Sequence, residues 1–131
     1  MAVPVPNPLP PLRLALVEDE STLRNLVQKY LFGKSHSVIS AGSAEELVIN
    51  PEEIDVLISD VVLPGINGVR LAEQYRDRAP HMQFLFVSGY PLEVGSVAIE
   101  NSRWRFLPKT FRLSELEEKL SELLASRAGI V

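Results

Sequence analysis

A chain of 131 residues, 46% hydrophobic and 23% charged, has the size and makeup of one globular domain and leaves no room for a second. Its formal net charge of -4 excludes a basic field for non-specific nucleic-acid binding, and the lack of cysteine excludes disulfides, a thiolate nucleophile and sulfur-ligated metals. No segment has the roughly 18 apolar residues needed to cross a bilayer, and the amino terminus lacks the basic and apolar regions of a signal peptide, so a soluble, cytoplasmic protein is expected.

Residues 1–11 hold five of the ten prolines, which remove backbone donors and favour extended conformations, so this stretch reads as a tail or linker. A domain over 12–127 follows, with a short tail at 128–131. Apolar LRLALV (12–17) predicts a strand. Leu23, Leu26, Val27, Tyr30 and Leu31 recur at helical spacing and predict a helix over 21–32, stopped by Gly33. HSVIS (36–40) predicts a short strand. Ser43 and Glu46 have capping-box spacing, which predicts a short helix to about Asn50, ahead of Pro51. DVLIS (55–59) is a continuous apolar run of the kind central parallel strands carry.

Beyond the turn LPGING, Asn67 is placed to cap a helix running to about Ala79, with Val69, Leu71, Ala72 and Tyr75 inward and Pro80 closing it. QFLFVS (83–88) predicts a strand, and PLEVGSVAIEN (91–101) a short or mobile helix of low propensity. RWRFL (103–107) is the fifth strand, and Leu113, Leu116, Leu120, Leu123 and Leu124 mark an amphipathic last helix ending near Arg127. Five strand-helix units predict an α/β three-layer sandwich with helices on both faces of a parallel sheet. His36 and His81, at strand starts, are expected at the surface.

Four of the five strands are followed by a chemically distinctive residue: Glu18 and Asp19, Asp60, Ser88 and Lys109. Each alone has a plain explanation in helix-dipole complementarity, turn chemistry or solvation. Together they do not, because the carboxyl ends of the strands of an open parallel sheet share one edge, where such sheets bind ligands. Three carboxylates gathered there repel one another unless a cation joins them. An aspartate can accept a phosphoryl group if charge on the transferring oxygens is neutralised, as Mg²⁺ and a fixed ammonium do.

The pieces LVEDE (16–20), LISDVVLPGING (57–68), FVSGY (86–90) and FLPKTF (106–111), in this order, resemble the receiver domain of two-component response regulators over residues 12–126. The resemblance implies a flavodoxin-like, doubly wound fold with sheet order 2-1-3-4-5. It also implies phosphorylation of Asp60 by a histidine kinase or a histidine phosphotransfer protein. Mg²⁺ is then held by Glu18, Asp19, Asp60 and the backbone carbonyl of Val62, with Asp19 the more direct ligand of the acidic pair. Lys109 pairs with Asp60 or its phosphate. Ser88 and the aromatic Phe106 act as a switch that alters a binding face made of the 91–101 helix, the fifth strand and the last helix. That face meets a downstream protein target, or a second copy of the chain in a homodimer, with no direct contact to nucleic acid or membrane.

Two departures from the family pattern stand out. Thr110 replaces the usual proline after the lysine, and since a cis bond to a non-proline residue costs about 2.5–4 kcal/mol, a trans bond is expected. Val62 and Tyr90 flank the path of attacking water and are expected to slow loss of the phosphoryl group. With few residues after the last helix, no output domain is expected. FVSGY and FLPK are particularly similar to receivers appended to hybrid histidine kinases, while a single-domain regulator is equally compatible. The chain is not expected to be an enzyme: an aspartyl-nucleophile Mg²⁺ phosphatase, the competing reading, would want an acid at position 62.

Overall fold

The computed structural model describes residues 9–89 and 103–127. Residues 1–8 of the proline-rich stretch, Tyr90, the helix predicted over 91–101 and the last four residues lie outside them. The elements are β1 (Arg13–Val17), α1 (Ser21–Gly33), β2 (Ser37–Ala41), a 3₁₀ turn (Pro51–Glu53), β3 (Val56–Asp60), α2 (Gly68–Arg76), β4 (Gln83–Ser88), β5 (Trp104–Pro108) and α3 (Leu113–Arg127).

All strand pairs are parallel, in the order β2-β1-β3-β4-β5. Every residue of β3 and β4 is buried, as expected of strands covered on both faces, whereas the edge strand β2 alternates exposed and half-buried positions. Period-two alternation splits the core in two. Ala15, Val17, Leu57, Phe84 and Phe86 face Leu71, Ala72 and Tyr75 of α2. Leu14, Leu16, Val56, Ile58 and Leu85 face Val27 and Leu31 of α1 and Leu116, Leu120 and Leu123 of α3. The outcome is the flavodoxin-like three-layer arrangement.

Local chemistry explains most boundaries. The Asn67 side chain accepts the Arg70 N–H at 2.8 Å and starts α2, and Glu115 Oε1 accepts the Arg112 N–H at 2.7 Å at the head of α3. Two expectations need correction. The helix predicted over 44–50 does not form: Ser43 Oγ accepts the Glu46 N–H at 3.3 Å and Glu46 Oε2 accepts the Gly42 N–H at 3.2 Å, but the chain then flattens. Val48 and Ile49 are β-branched, and Asn50 starts the next turn by accepting the Glu52 N–H at 3.2 Å, so one turn is all that propagates. Helix α1 ends at Gly33 as expected, and Ser35, at φ 73°, reverses the chain behind it. His36 is buried instead of exposed: its Nδ1 accepts the Leu12 N–H at 3.0 Å, joining β2 to the entry of β1.

Candidate functional site

The parallel sheet delivers the predicted residues to one edge. β1 runs into Glu18 and Asp19, β3 ends in Asp60, β4 ends in Ser88, and Lys109 follows β5. Lys109 Nζ lies 2.6 Å from Asp60 Oδ2 and 3.2 Å from Glu18 Oε1. One carboxylate oxygen each of Glu18, Asp19 and Asp60 can be chosen so that all lie within 4.8 Å of one another. Glu18 is 2% exposed and Asp60 3%, while Asp19 is open to solvent. A cleft above them is lined by Asp19, Asp60, Val62, Gly89 and Lys109.

Backbone geometry holds this edge in place. Glu18 donates its N–H to the Ala41 carbonyl at 3.1 Å, and its Oε2 accepts the Glu20 N–H at 3.0 Å. Arg24 Nη1 donates to the Glu18 carbonyl at 2.7 Å. Asp60 Oδ1 accepts the Val62 N–H at 3.1 Å, which turns the chain sharply after β3. The Lys109 N–H donates to the Ser88 carbonyl at 2.8 Å, and the Lys109–Thr110 bond is trans, as expected without proline. The ammonium reaches Asp60 without the cis bond that the family resemblance would supply.

The electrostatics are those of a site with too much negative charge. Burial pushes the Glu18 carboxyl up, and the Asp60 charge adds to it; the Glu20 N–H and the Lys109 ammonium offset only part of this. Burial also pulls Lys109 down, but the hydrogen bond to Asp60 and the charges of Glu18 and Asp60 outweigh it, so its ammonium is held above the ordinary range. Glu18 Oε1 is buried and accepts no hydrogen bond, although the Lys109 ammonium lies 3.2 Å from it. Three carboxylates against one ammonium, all offering oxygen, suit a hard divalent cation such as Mg²⁺.

Among the other predicted residues, Ser88 is 3% exposed at the end of β4, paired in register with Pro108. Phe106 pairs with Phe86 and is packed against the α2-side core. Val62 is 44% exposed and lines the cleft, whereas Tyr90 lies outside the described residues. Sequence reasoning missed two contributors. Gly68 packs so closely on β3 that a Cβ there would stand 2.1 Å from the Asp60 carbonyl oxygen. Arg24 was hidden in an ordinary amphipathic pattern, although a basic residue in the first turn of a helix runs against the dipole and is the signal that could have exposed it.

Comparison with known proteins agrees with this architecture. The response regulator receiver domain family matches residues 14–121. The sensor kinase CckA of Brucella abortus (strain 2308) is 35% identical over 114 residues, covering 83% of this chain and 12% of the kinase. The transcriptional regulatory protein TrcR of Mycobacterium tuberculosis is 28% identical over 117 residues, 87% of this chain and 46% of that protein. This chain thus spans less than half the length of either relative. Among solved structures, the receiver domain of the hybrid histidine kinase CckA is similar with a TM-score of 0.68 and 33% identity over 85% of this chain and 98% of that one. A receiver domain from Clostridium thermocellum has a TM-score of 0.78 at 19% identity, over 92% and 99%, a likeness of fold. A family match across most of the described chain, carried by a fold whose strand ends converge on Asp60, identifies the chain as a response-regulator receiver domain of two-component signalling.

Proposed function

We propose that Asp60 accepts a phosphoryl group from a phosphohistidine on a partner histidine kinase or histidine phosphotransfer protein. A carboxylate oxygen of Asp60 forms the new O–P bond as the histidine N–P bond breaks, and the released imidazole takes up a proton from solvent. The observation that carries the reading is the position of Lys109 Nζ, 2.6 Å from Asp60 Oδ2, in a site that also gathers the Glu18 and Asp19 carboxylates. An ammonium fixed there neutralises charge on the transferred group, and the buried walls of the site strengthen that interaction. Glu18, Asp19, Asp60 and the Val62 carbonyl would hold Mg²⁺, which supplies the rest of the charge neutralisation when bound.

The added phosphoryl group brings roughly 1.5–2 negative charges, which draw the Ser88 hydroxyl inward. Phe106 follows by repacking, and the face containing β5 and α3 changes its affinity for a downstream protein or for a second copy of the chain. Val62, which lines the cleft, restricts water and lengthens the life of the acyl phosphate. The chain works as a signalling module rather than an enzyme, since Val62 supplies no acid where a phosphatase would need one. No described helix is long and apolar enough to cross a membrane, and a phosphohistidine donor suits a cytoplasmic site of action.

Incubation with Mg²⁺ and acetyl phosphate, followed by intact-mass measurement, tests this. One phosphoryl group should be added, labile to hydroxylamine, and Asp60→Asn should abolish the addition. Absence of uptake from both the small donor and a phosphorylated histidine partner would reject the proposal.

A further inference from the structure

Consecutive residues in an extended chain point to opposite faces, yet the carboxylates of Glu18 and Asp19 approach the same point near Asp60. The pleat must therefore break between them and be held broken. β1 ends at Val17, and the peptide that joins the two acids is gripped on its carbonyl side by Arg24, whose Nη1 donates to the Glu18 oxygen at 2.7 Å. Glu18 is also fixed by its N–H on Ala41 and by its Oε2 on the Glu20 N–H.

Arg24 occupies a place that helix energetics disfavour. It stands in the first turn of α1, where the dipole favours acids, and that turn contains none, while the N-cap Glu20 makes no side-chain capping bond. From there its side chain reaches back past the helix start to the acidic loop, where the Glu18 carbonyl takes its hydrogen bond. The guanidinium also has a slot made for it. At Gly42, just past β2, a Cβ would stand 3.0 Å from Arg24 Nη1 and 3.8 Å from its Cζ, so the absence of a side chain there leaves the arginine its room.

We infer that Arg24 is a positioning residue for divalent-cation binding: by holding the Glu18 carbonyl in the slot beside Gly42, it fixes the chain break that turns Glu18 and Asp19 toward one ion. This rests on the reading that Glu18, Asp19 and Asp60 hold Mg²⁺.

Charge and positioning predict opposite signs. As a cation near the site, Arg24 repels Mg²⁺, so if it acted through charge alone its removal would tighten binding. If it positions the acids, Arg24→Ala weakens Mg²⁺ binding by about tenfold, the effect usual for groups that orient metal ligands. Calorimetric titration of the full chain with Mg²⁺ reads this directly. Arg24→Lys, which keeps the charge and a donor, should recover part of the loss. Gly42→Ala, which crowds the guanidinium, should weaken binding less than Arg24→Ala and add nothing in the Arg24→Ala background. Unchanged or tighter binding in Arg24→Ala overturns the inference. Should Arg24→Ala fail to fold, unchanged binding in Gly42→Ala overturns it instead. A wild-type chain that binds no Mg²⁺ removes the metal reading itself, an outcome distinct from wild-type binding that is insensitive to both substitutions.

Discussion

At Gly68 a methyl group would stand 2.1 Å from the Asp60 carbonyl oxygen and 2.7 Å from Ser59 Oγ. The first obstacle is backbone, so relief requires shifting either the start of α2 or the Asp60 peptide. Ser59, fully buried on the α2 side, donates to that same carbonyl at 2.9 Å, and the Gly68 N–H donates to Val61 at 2.8 Å, so both sides are tied. Gly68→Ala should cost about 2–4 kcal/mol of stability, measured by urea denaturation, and should slow phosphoryl uptake because the acceptor itself is displaced. The sequence makes Asp60, Lys109, Glu18 and Asp19 readable, because each follows an apolar run and a parallel sheet carries all such ends to one edge. It does not reveal Gly68, which after Asn67 looks like an ordinary turn glycine; the contact that demands it lies on a strand eight residues away in the chain.

Among the elements, strands and long helices follow from periodicity, and the departures come where packing overrides local propensity. Ser43 and Glu46 make their end-capping bonds, yet Leu47 is buried against the α2-side core and the helix does not extend. His36 could not be judged from its place at the start of a strand, because its burial depends on Leu12 approaching from β1. Its Nδ1 must be unprotonated to accept the Leu12 N–H, and burial holds its pKa below the ordinary value, with the Glu117 charge partly opposing. As pH falls below about 6.5, the unfolded chain therefore takes up a proton before the folded one. The stability that His36 contributes should be complete above that value and decline as pH drops toward the lower folded pKa. Denaturation of wild type and His36→Gln at pH 7.5 and pH 5 should show the advantage of wild type shrinking at the lower pH. The packing of α1 on α3 adds a second polar tie, in which the Tyr30 hydroxyl donates to Glu117 and its pKa is pushed up to about 12.

For the molecule as a whole, the edge of the sheet opposite the cleft is gathered by one carboxylate. Asp55, just before β3, accepts the Arg13 N–H at 2.8 Å, Arg13 Nη2 at 3.2 Å and Arg127 Nη1 at 3.4 Å, so it joins the first strand to the end of the last helix. Burial alone would raise the Asp55 carboxyl, but the Arg13 bonds and the Arg127 contact outweigh it and hold it below the usual range. Its contribution is thus present above the unfolded value and is lost as pH falls through the folded one. Asp55→Ala should lower stability by about 2 kcal/mol at pH 7, with the gap closing in acid below about pH 4, and should leave phosphoryl uptake at Asp60 unchanged. The passage from Ala41 to Val56 has a different implication for the whole chain. It crosses over β1 in residues 42–55 without an α-helix, close to the dozen or so residues that a crossover between parallel strands demands. A span so near its geometric minimum has slack in one direction only. Deletions would drag β2 out of register, while extra residues beside the solvent-facing Val48 would bulge outward at an entropic cost that grows only as a logarithm of length.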